Sequence, residues 1–465
     1  MTKKILSAIL LSLVFCAASF GQIFPKDSLL YNGTRNQMIN LVILPDGYTS
    51  AEQPKFKTDA TAFMDYFFSQ SPFSVYKNYF NVYTVNVPSN ESGVIHPHTA
   101  SDCGSDVTVT NPDIYFKSTM DYAGIHRLIV ADFGIINTTL NNNFPQWDVV
   151  LILVNSTKYG GSGGTFPVAS TDPSAAQVAV HEIGHSFGNL RDEYYPGASY
   201  MIEQANTTKE SNSALVRWKN WLGIKSTGIY KFEEDVTWHR PHQSCKMRYI
   251  DSPFCPYCNE LLIEKIHSIT NAIYAYTPNQ TTFTVTDEKI PFAITTLQPI
   301  PNTLKITWML DGNNYANNTD TLTLDSNVLT KGAHTLVATV ADTTAAVKSS
   351  ANPTTHIYSI QWTIDKLMTN ISISTLQYKS KVSAWPNPFH DQITISYTLE
   401  KTSNVRIDML GINGSLIQTL VNQNNVSAGE YTNTAYISSQ NLPAGVYLIR
   451  YMIDDFSYTE QIIKK

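Results

Sequence analysis

The chain has 465 residues, of which 43% are hydrophobic and 15% charged, and it carries a net charge of −6. That length exceeds one ordinary core and calls for about two to four domains. The acidic balance excludes a protein that grips nucleic acid through a basic surface, and the abundance of Tyr, Thr, Asn and Ser suits a β-rich extracellular chain.

Residues 1–21 read as a signal peptide. Lys3 and Lys4 give a positive start, Ile5 to Phe15 an apolar run, and Ser19 and Gly21 a small-residue pair before cleavage at Gln22. The run is too short to span a membrane, and nothing later is long and apolar enough, so no transmembrane segment is expected. Cys16 follows Phe15 where lipidation needs a small residue. The mature chain keeps Cys103, Cys245, Cys255 and Cys258. An even number in an exported protein favours disulfides, whose pairing the sequence leaves open, although the Cys255-Pro-Tyr-Cys258 spacing also suits zinc.

Residues 22–278 alternate strand-like and helix-like stretches. Asn40 to Leu44, Phe80 to Val87, His126 to Ala131 and Val149 to Val154 read as strands. Ala51 to Ser69 reads as a helix with Phe56, Ala60, Phe63 and Phe67 on one face. The pattern is α/β or α+β, a mixed sheet under helices. Residues 279–366 show short alternating runs (Leu304 to Met309, His334 to Val340) around the turn Asp311-Gly312-Asn313-Asn314, which suggests an immunoglobulin-like β-sandwich. A polar linker, 367–382, leads to a further all-β unit, 383–465, with strands at Gln392 to Leu399, Asn404 to Leu410 and Gly445 to Ile453.

The chemistry concentrates at His181-Glu182-Ile183-Gly184-His185. On a helix, histidines at i and i+4 share a face and bind one tetrahedral zinc ion, while the intervening glutamate reaches the open position as a base. Asp172 and Pro173 read as N-cap and first helical residue. Ala176, Ala179, Val180, Ile183 and Phe187 fall at helical spacing. Gly188 can end the helix and turn the chain. Zinc needs a third protein ligand, and Asp192 and Glu193, just beyond the turn, are both chemically eligible. The Gly-rich segment with Gly161, Gly163 and Gly164 follows Val149 to Val154. An edge strand there would pair with an extended substrate. Tyr194, Tyr249, His239 and His242 are candidate oxyanion donors by type and neighbourhood.

The run HEIGHSFGNLRDEY resembles the HExxHxxGxxxDEY pattern of the bacterial IgA-type metallopeptidases. LVILPDGYT, YGGSGG and CKMRYIDSPFCPYC follow that family's order. The resemblance implies a secreted zinc endopeptidase with a zincin-type, metzincin-like domain. His181, His185 and Asp192 would be the zinc ligands, with Glu193 the weaker alternative. It further implies Glu182 as catalytic base and Met247 as the methionine of a turn beneath the metal. Position 191, where many metzincins place the third ligand, is an arginine here. Ala384-Trp385-Pro386-Asn387-Pro388-Phe389, Leu442 to Tyr447 and the Ile462-Ile463-Lys464-Lys465 end resemble a type IX secretion sorting domain. That implies transport by the outer-membrane secretion machinery to the medium or the cell surface. Two other functions stay open: an adhesin that keeps a metal site, and a zinc hydrolase of a non-peptide amide or ester.

Overall fold

A computed structural model describes residues 22–348, 356–367, 381–437 and 442–465. The expected signal peptide and nearly all of the expected linker lie outside the described residues. The described chain forms two compact units. One takes the described residues that fall within Met1–Phe283, Lys289–Leu324 and His334–Ile364, the other those within Thr284–Glu288, Asp325–Ala333 and Asp365–Lys465.

The first unit opens with a six-stranded sheet made of β1 (Lys26–Leu30), β2 (Ile39–Asp46), β3 (Phe80–Val85), β4 (Val149–Val154), β5 (Gly161–Ser162) and β6 (Val168–Ser170). The order is β1-β3-β2-β4-β6-β5, with β2 parallel to β3 and β4, and β4 parallel to β6. β1 and β5 run antiparallel at the two edges. β2, β3 and β4 are buried along their whole lengths, as strands covered on both faces must be. Side chains from alternate positions feed two cores. Leu41, Ile43 and Leu151 point into the one built on α1 (Gln53–Phe67), while Val42, Leu44 and Ile152 join the one built on α2 (Phe133–Asn143). Phe56, Ala60, Phe63 and Phe67 of α1 are all buried, as their spacing requires. α3 (Ala175–Ser186) and α4 (Pro256–Ile269) pack into the first core.

One expected strand is absent. His126 to Ala131 forms no strand; Val130 makes a single bridge to Thr119. Only Ile129 of the run is buried; its neighbours are half-buried or exposed within an irregular segment.

A short hairpin follows, β7 (Tyr230–Lys231) with β8 (His239–Arg240). Beyond α4 come β9 (Ile273–Thr277), β10 (Thr282–Val285), β11 (Lys289–Thr296), β12 (Leu304–Leu310), β13 (Asn313–Asn317), β14 (Thr321–Asp325), β15 (Gly332–Asp342) and β16 (Ile357–Lys366). They form sheets ordered β10-β16-β15-β12-β13 and β14-β11-β9. Asp311 and Gly312 both take positive φ in the β12–β13 turn, the geometry a two-residue hairpin requires. Phe292 of β11 packs against Trp362 of β16, with ring centroids 5.0 Å apart, and Trp362 stacks on Trp308 of β12.

Asp342, at the end of β15, is a junction. Its carboxylate accepts from the Tyr76 hydroxyl (2.6 Å), the Thr303 hydroxyl (2.6 Å) and His267 Nε2 of α4 (3.1 Å). Burial alone would raise this carboxyl; the bonds from His267, Thr303 and Tyr76 outweigh it and bring it down to about 2.

The C-terminal strands are β17 (Val382–Trp385), β18 (Gln392–Leu399), β19 (Ser403–Gly411), β20 (Leu416–Val426), β21 (Gly429–Tyr436), β22 (Gly445–Ile453) and β23 (Phe456–Lys464). They make a three-stranded sheet, β17-β18-β21, and a four-stranded one, β20-β19-β22-β23. The two sheets share one core of alternating residues such as Ile393, Ile395, Ile407, Ile449 and Tyr451. Phe389 is fully buried, and its backbone bonds to Ile463 and Lys465, while Asn387 accepts from Ile463 N. The opening Pro-Asn-Pro-Phe motif is therefore clasped to the last strand.

Candidate functional site

α3 positions the site. The helix begins at Ala175, two residues later than expected. Asp172 and Pro173 lie in the turn before it, where Asp172 accepts from Ser174 N through its side chain (2.8 Å) and from Ala175 N through its carbonyl (2.9 Å). Ala179, Val180 and Ile183 enter the core, so the opposite face carries His181, Glu182 and His185.

The turn after α3 has a different cause from the one expected. The residue with positive φ is Asn189, at 53°. Gly188 is needed for closeness: a Cβ there would lie 2.8 Å from the Gly184 carbonyl oxygen and 2.5 Å from Leu262. The turn returns Asp192 to the helix. Its Oδ1 lies 3.1 Å from His185 Nε2 and 3.2 Å from His181 Nε2, and the two Nε2 atoms are 3.1 Å apart. Glu182 Oε2 stands further off, 3.9 Å from His185 Nε2.

Each histidine is aimed by its other nitrogen. His181 Nδ1 bonds the Lys246 carbonyl (2.9 Å) and His185 Nδ1 the Leu190 carbonyl (2.7 Å). The Nδ1 atoms therefore carry the protons, and two Nε2 lone pairs face each other and a carboxylate oxygen. Electron-rich atoms this close repel unless a cation sits among them, so the donor set fits a divalent metal.

Glu193, the weaker alternative ligand, is turned away. It is fully buried, and its Oε1 accepts from Asn206 Nδ2 and from the Cys258 thiol, both at 3.1 Å. Cys245 and Cys255 complete this second group. The expected disulfides are not formed: all four cysteines are free thiols, and Cys103 belongs to a different cluster from the other three. Burial raises the Cys245 thiol to about 12.

Met247 is fully buried under α3, with its sulfur 2.9 Å from where a Cβ on Gly184 would sit. Its carbonyl accepts from Glu193 N (2.7 Å), which ties this segment to the Asp192–Glu193 turn.

A cleft of about 820 Å³ opens over His181 and Glu182, walled by Arg127, Tyr159, Tyr194 and Tyr249. Tyr194 and Tyr249 thus reach the site, whereas His239 lies in β8 and His242 bonds Ser244 instead. Burial pushes the Tyr194 hydroxyl up, with Asp192 and Glu182 adding to the rise. Burial likewise raises the Glu182 carboxyl, against the lowering effect of His181 and His185.

The Gly-rich segment also reaches the site, but the expected strand does not. β4 is interior; the edge on this side of the sheet is β5, Gly161–Ser162. A Cβ on Gly161 would meet the Val168 carbonyl at 2.7 Å, one on Gly163 would meet Glu182 Oε2 at 1.9 Å, and Gly164 has φ 110°. Sequence reasoning gave these glycines to the substrate backbone. It missed that Gly163 makes room for the glutamate itself, since no local signal couples the two.

Residues 28–227 match the family model described as IgA Peptidase M64, and residues 383–465 match the Secretion system C-terminal sorting domain. The first match is to a peptidase family and supports a peptidase; the second marks export across the outer membrane to a secreted or cell-surface location. The segment with Met247 and the three clustered cysteines lies beyond the first match. No curated protein matches the chain. Among solved structures it is similar to dimeric latent PorU from Porphyromonas gingivalis, at 14% identity, covering 40% of this chain and 19% of that one, with TM-score 0.16. SGBP-B of Bacteroides ovatus gives 14% identity, 42% and 46% coverage and TM-score 0.14. The fibronectin(III)-like modules of CbhA from Clostridium thermocellum give 12%, 41% and 92%, and 0.15. The chain spans less than half the length of the first two, and at these scores the likenesses carry no argument.

Proposed function

From a chain whose residues 28–227 belong to the IgA peptidase M64 family and whose C-terminus is a type IX sorting domain, we propose an exported zinc endopeptidase that cuts extracellular proteins. The observation that carries this is the convergence of His181, His185 and Asp192 at 3.1–3.2 Å beside Glu182. Tetrahedral bonds of about 2.0–2.1 Å place ligand atoms about 3.3 Å apart, which this set matches. His181, His185 and Asp192 would hold the zinc, and Met247 would pack beneath them as the turn methionine.

When bound, zinc supplies Lewis-acid polarisation of the scissile carbonyl and lowers the pKa of the attacking water. Glu182 takes the proton from that water and returns it to the leaving amine. Its raised carboxyl suits a group that must hold the proton briefly. Tyr194 and Tyr249 line the cleft and donate to the developing oxyanion. The substrate lies extended along the edge of β5, adding a strand to the sheet, with Gly164 leaving its backbone room and Gly163 leaving room for Glu182.

The test compares the mature full-length chain with Glu182→Gln and His181→Ala. The expected result is chelator-sensitive cleavage of a fluorogenic protein by the parent only, zinc retained in Glu182→Gln, and about one equivalent less in His181→Ala. Zinc retention with no cleavage of any protein would overturn the peptidase in favour of a binding protein; turnover of small esters alone would favour a non-peptide hydrolase.

A further inference from the structure

Between β3 and α2, residues 86–132 form no strand and no α-helix, only a 3-10 turn at Tyr122–Gly124 and isolated bridges, among them Ile95 with Thr119 and His96 with Thr110. A stretch this long with so little backbone pairing needs another source of order. It nevertheless buries polar side chains almost completely, among them His96 and Asp121.

Four side chains from separate points of this segment converge. His96 Nε2 lies 3.1 Å from His126 Nδ1, 3.3 Å from Asp121 Oδ1 and 3.6 Å from Cys103 Sγ. His126 Nδ1 lies 2.8 Å from Asp121 Oδ1. Around a tetrahedral zinc ion, N–N and N–O edges come to about 3.3 Å, and N–S edges, with the longer bond to sulfur, to about 3.5 Å. The distances from His96 follow this pattern, with the longest edge at the sulfur, while His126 Nδ1 and Asp121 Oδ1 stand closer, at 2.8 Å. The edges span 2.8–3.6 Å, around the 3.1–3.2 Å of the His181, His185 and Asp192 set, but here there are four candidate ligands and no base.

The surroundings orient these atoms as ligands. His96 Nδ1 lies 3.2 Å from the Thr108 carbonyl oxygen and donates to it, so the Nε2 lone pair faces the cluster. That lone pair meets Asp121 Oδ1 and the Cys103 sulfur, donor types that zinc accepts. Asp121 takes φ 64°, and its outer oxygen, Oδ2, accepts from Thr99 N (2.8 Å), leaving Oδ1 turned inward. His126 N donates to Asp102 Oδ1 at 2.8 Å, which fixes the backbone of that ligand.

We propose that His96, Cys103, Asp121 and His126 form a second, structural zinc site that staples this irregular segment and braces one wall of the cleft. Four protein ligands leave no position for a reacting water, so the site is closed. Its mechanical connection is short. Arg127, next to His126, lines the cleft, and its carbonyl accepts from Gly161 N (3.0 Å). The Ser162 hydroxyl bonds the Ile129 carbonyl. The edge strand β5 therefore hangs from the stapled segment.

The experiment measures metal content and thermal unfolding of the mature full-length chain, with Cys103→Ala, His126→Ala and Cys103→His, each checked for native circular dichroism. The expected result is a loss of about one zinc equivalent in the two alanine variants. Cys103→His, which replaces thiolate by imidazole, retains it. In the alanine variants a protease cuts within 88–132 sooner than in the parent. Full zinc content and unchanged proteolysis in both alanine variants would overturn the proposal. His181→Ala, read in parallel, reports the catalytic metal alone, so loss of zinc there without loss in Cys103→Ala and His126→Ala would refute this site and leave the peptidase standing. Should the alanine variants fail to fold, the cobalt-loaded parent and Cys103→His decide: the histidine variant loses intensity in the thiolate-to-cobalt band if Cys103 is a ligand, and an unchanged band refutes the site.

Discussion

Glu182 is expected to matter for rate and not for metal. Glu182→Gln removes the base while keeping shape, and should lower kcat by about 10²–10⁴-fold with zinc content unchanged, read by steady-state kinetics and elemental analysis. Gly163 gives a sharper test of the same chemistry. A methyl group there would stand 1.9 Å from Glu182 Oε2, so Gly163→Ala must displace the carboxylate or the loop. Its expected effect is a fall in kcat with zinc retained; unchanged kcat would show that the loop yields freely. The histidine pair and Glu182 were legible because helical spacing alone puts them on one face. The choice between Asp192 and Glu193 was not. Adjacent residues point apart, and which one returns to the histidines depends on the turn at Asn189 and on the Met247 carbonyl that holds Glu193 N.

At the scale of the element, α3 is fitted to its neighbours by glycines. Gly184 faces Met247 Sδ at 2.9 Å and the Phe254 ring at 3.0 Å from its would-be Cβ. Gly184→Ala overpacks that contact and should cost about 1–3 kcal/mol in chemical denaturation. The strands β2, β3 and β4 announced themselves as apolar runs, since a strand buried on both faces has nothing polar to show. His126 to Ala131 carried the same signal and is no strand, because it lies in an irregular segment where only Ile129 is buried and Val130 finds a single bridge. The edge at β5 was likewise invisible: two residues of Gly-Ser have no pattern, and only the sheet order makes them an edge.

At the scale of the whole molecule, Asp342 links β15 to α4 and to the Tyr76 segment, and it sets an acid limit. Its carboxyl is depressed to about 2 in the fold against about 3.9 when unfolded. A depressed carboxyl stabilises fully above the unfolded value and progressively less as pH falls toward the folded one. Stability should therefore decline between about pH 4 and pH 2, and Asp342→Asn should be less stable at neutral pH with a flatter acid limb in urea titrations. The sorting domain makes a separate prediction. A chain ending before residue 383 should keep its peptidase activity in extracts yet fail to leave the cell, which fractionation would show; export of the truncated chain would contradict it.

By itself the sequence determined the helix that carries the histidines, the buried strands beneath it, the all-β character of the C-terminal segment and the export motif. Each of these is written in residues within a turn or a strand of one another, where spacing sets the face. Tertiary structure alone decided what depends on distant residues meeting. It turned Asp192 inward and Glu193 toward the thiols, gave Gly163 to Glu182, and kept Cys103 with His96, Asp121 and His126 instead of in a disulfide. The physical reason is that ligand distances of a few ångströms are set by how loops close, and loop closure leaves no period in the sequence.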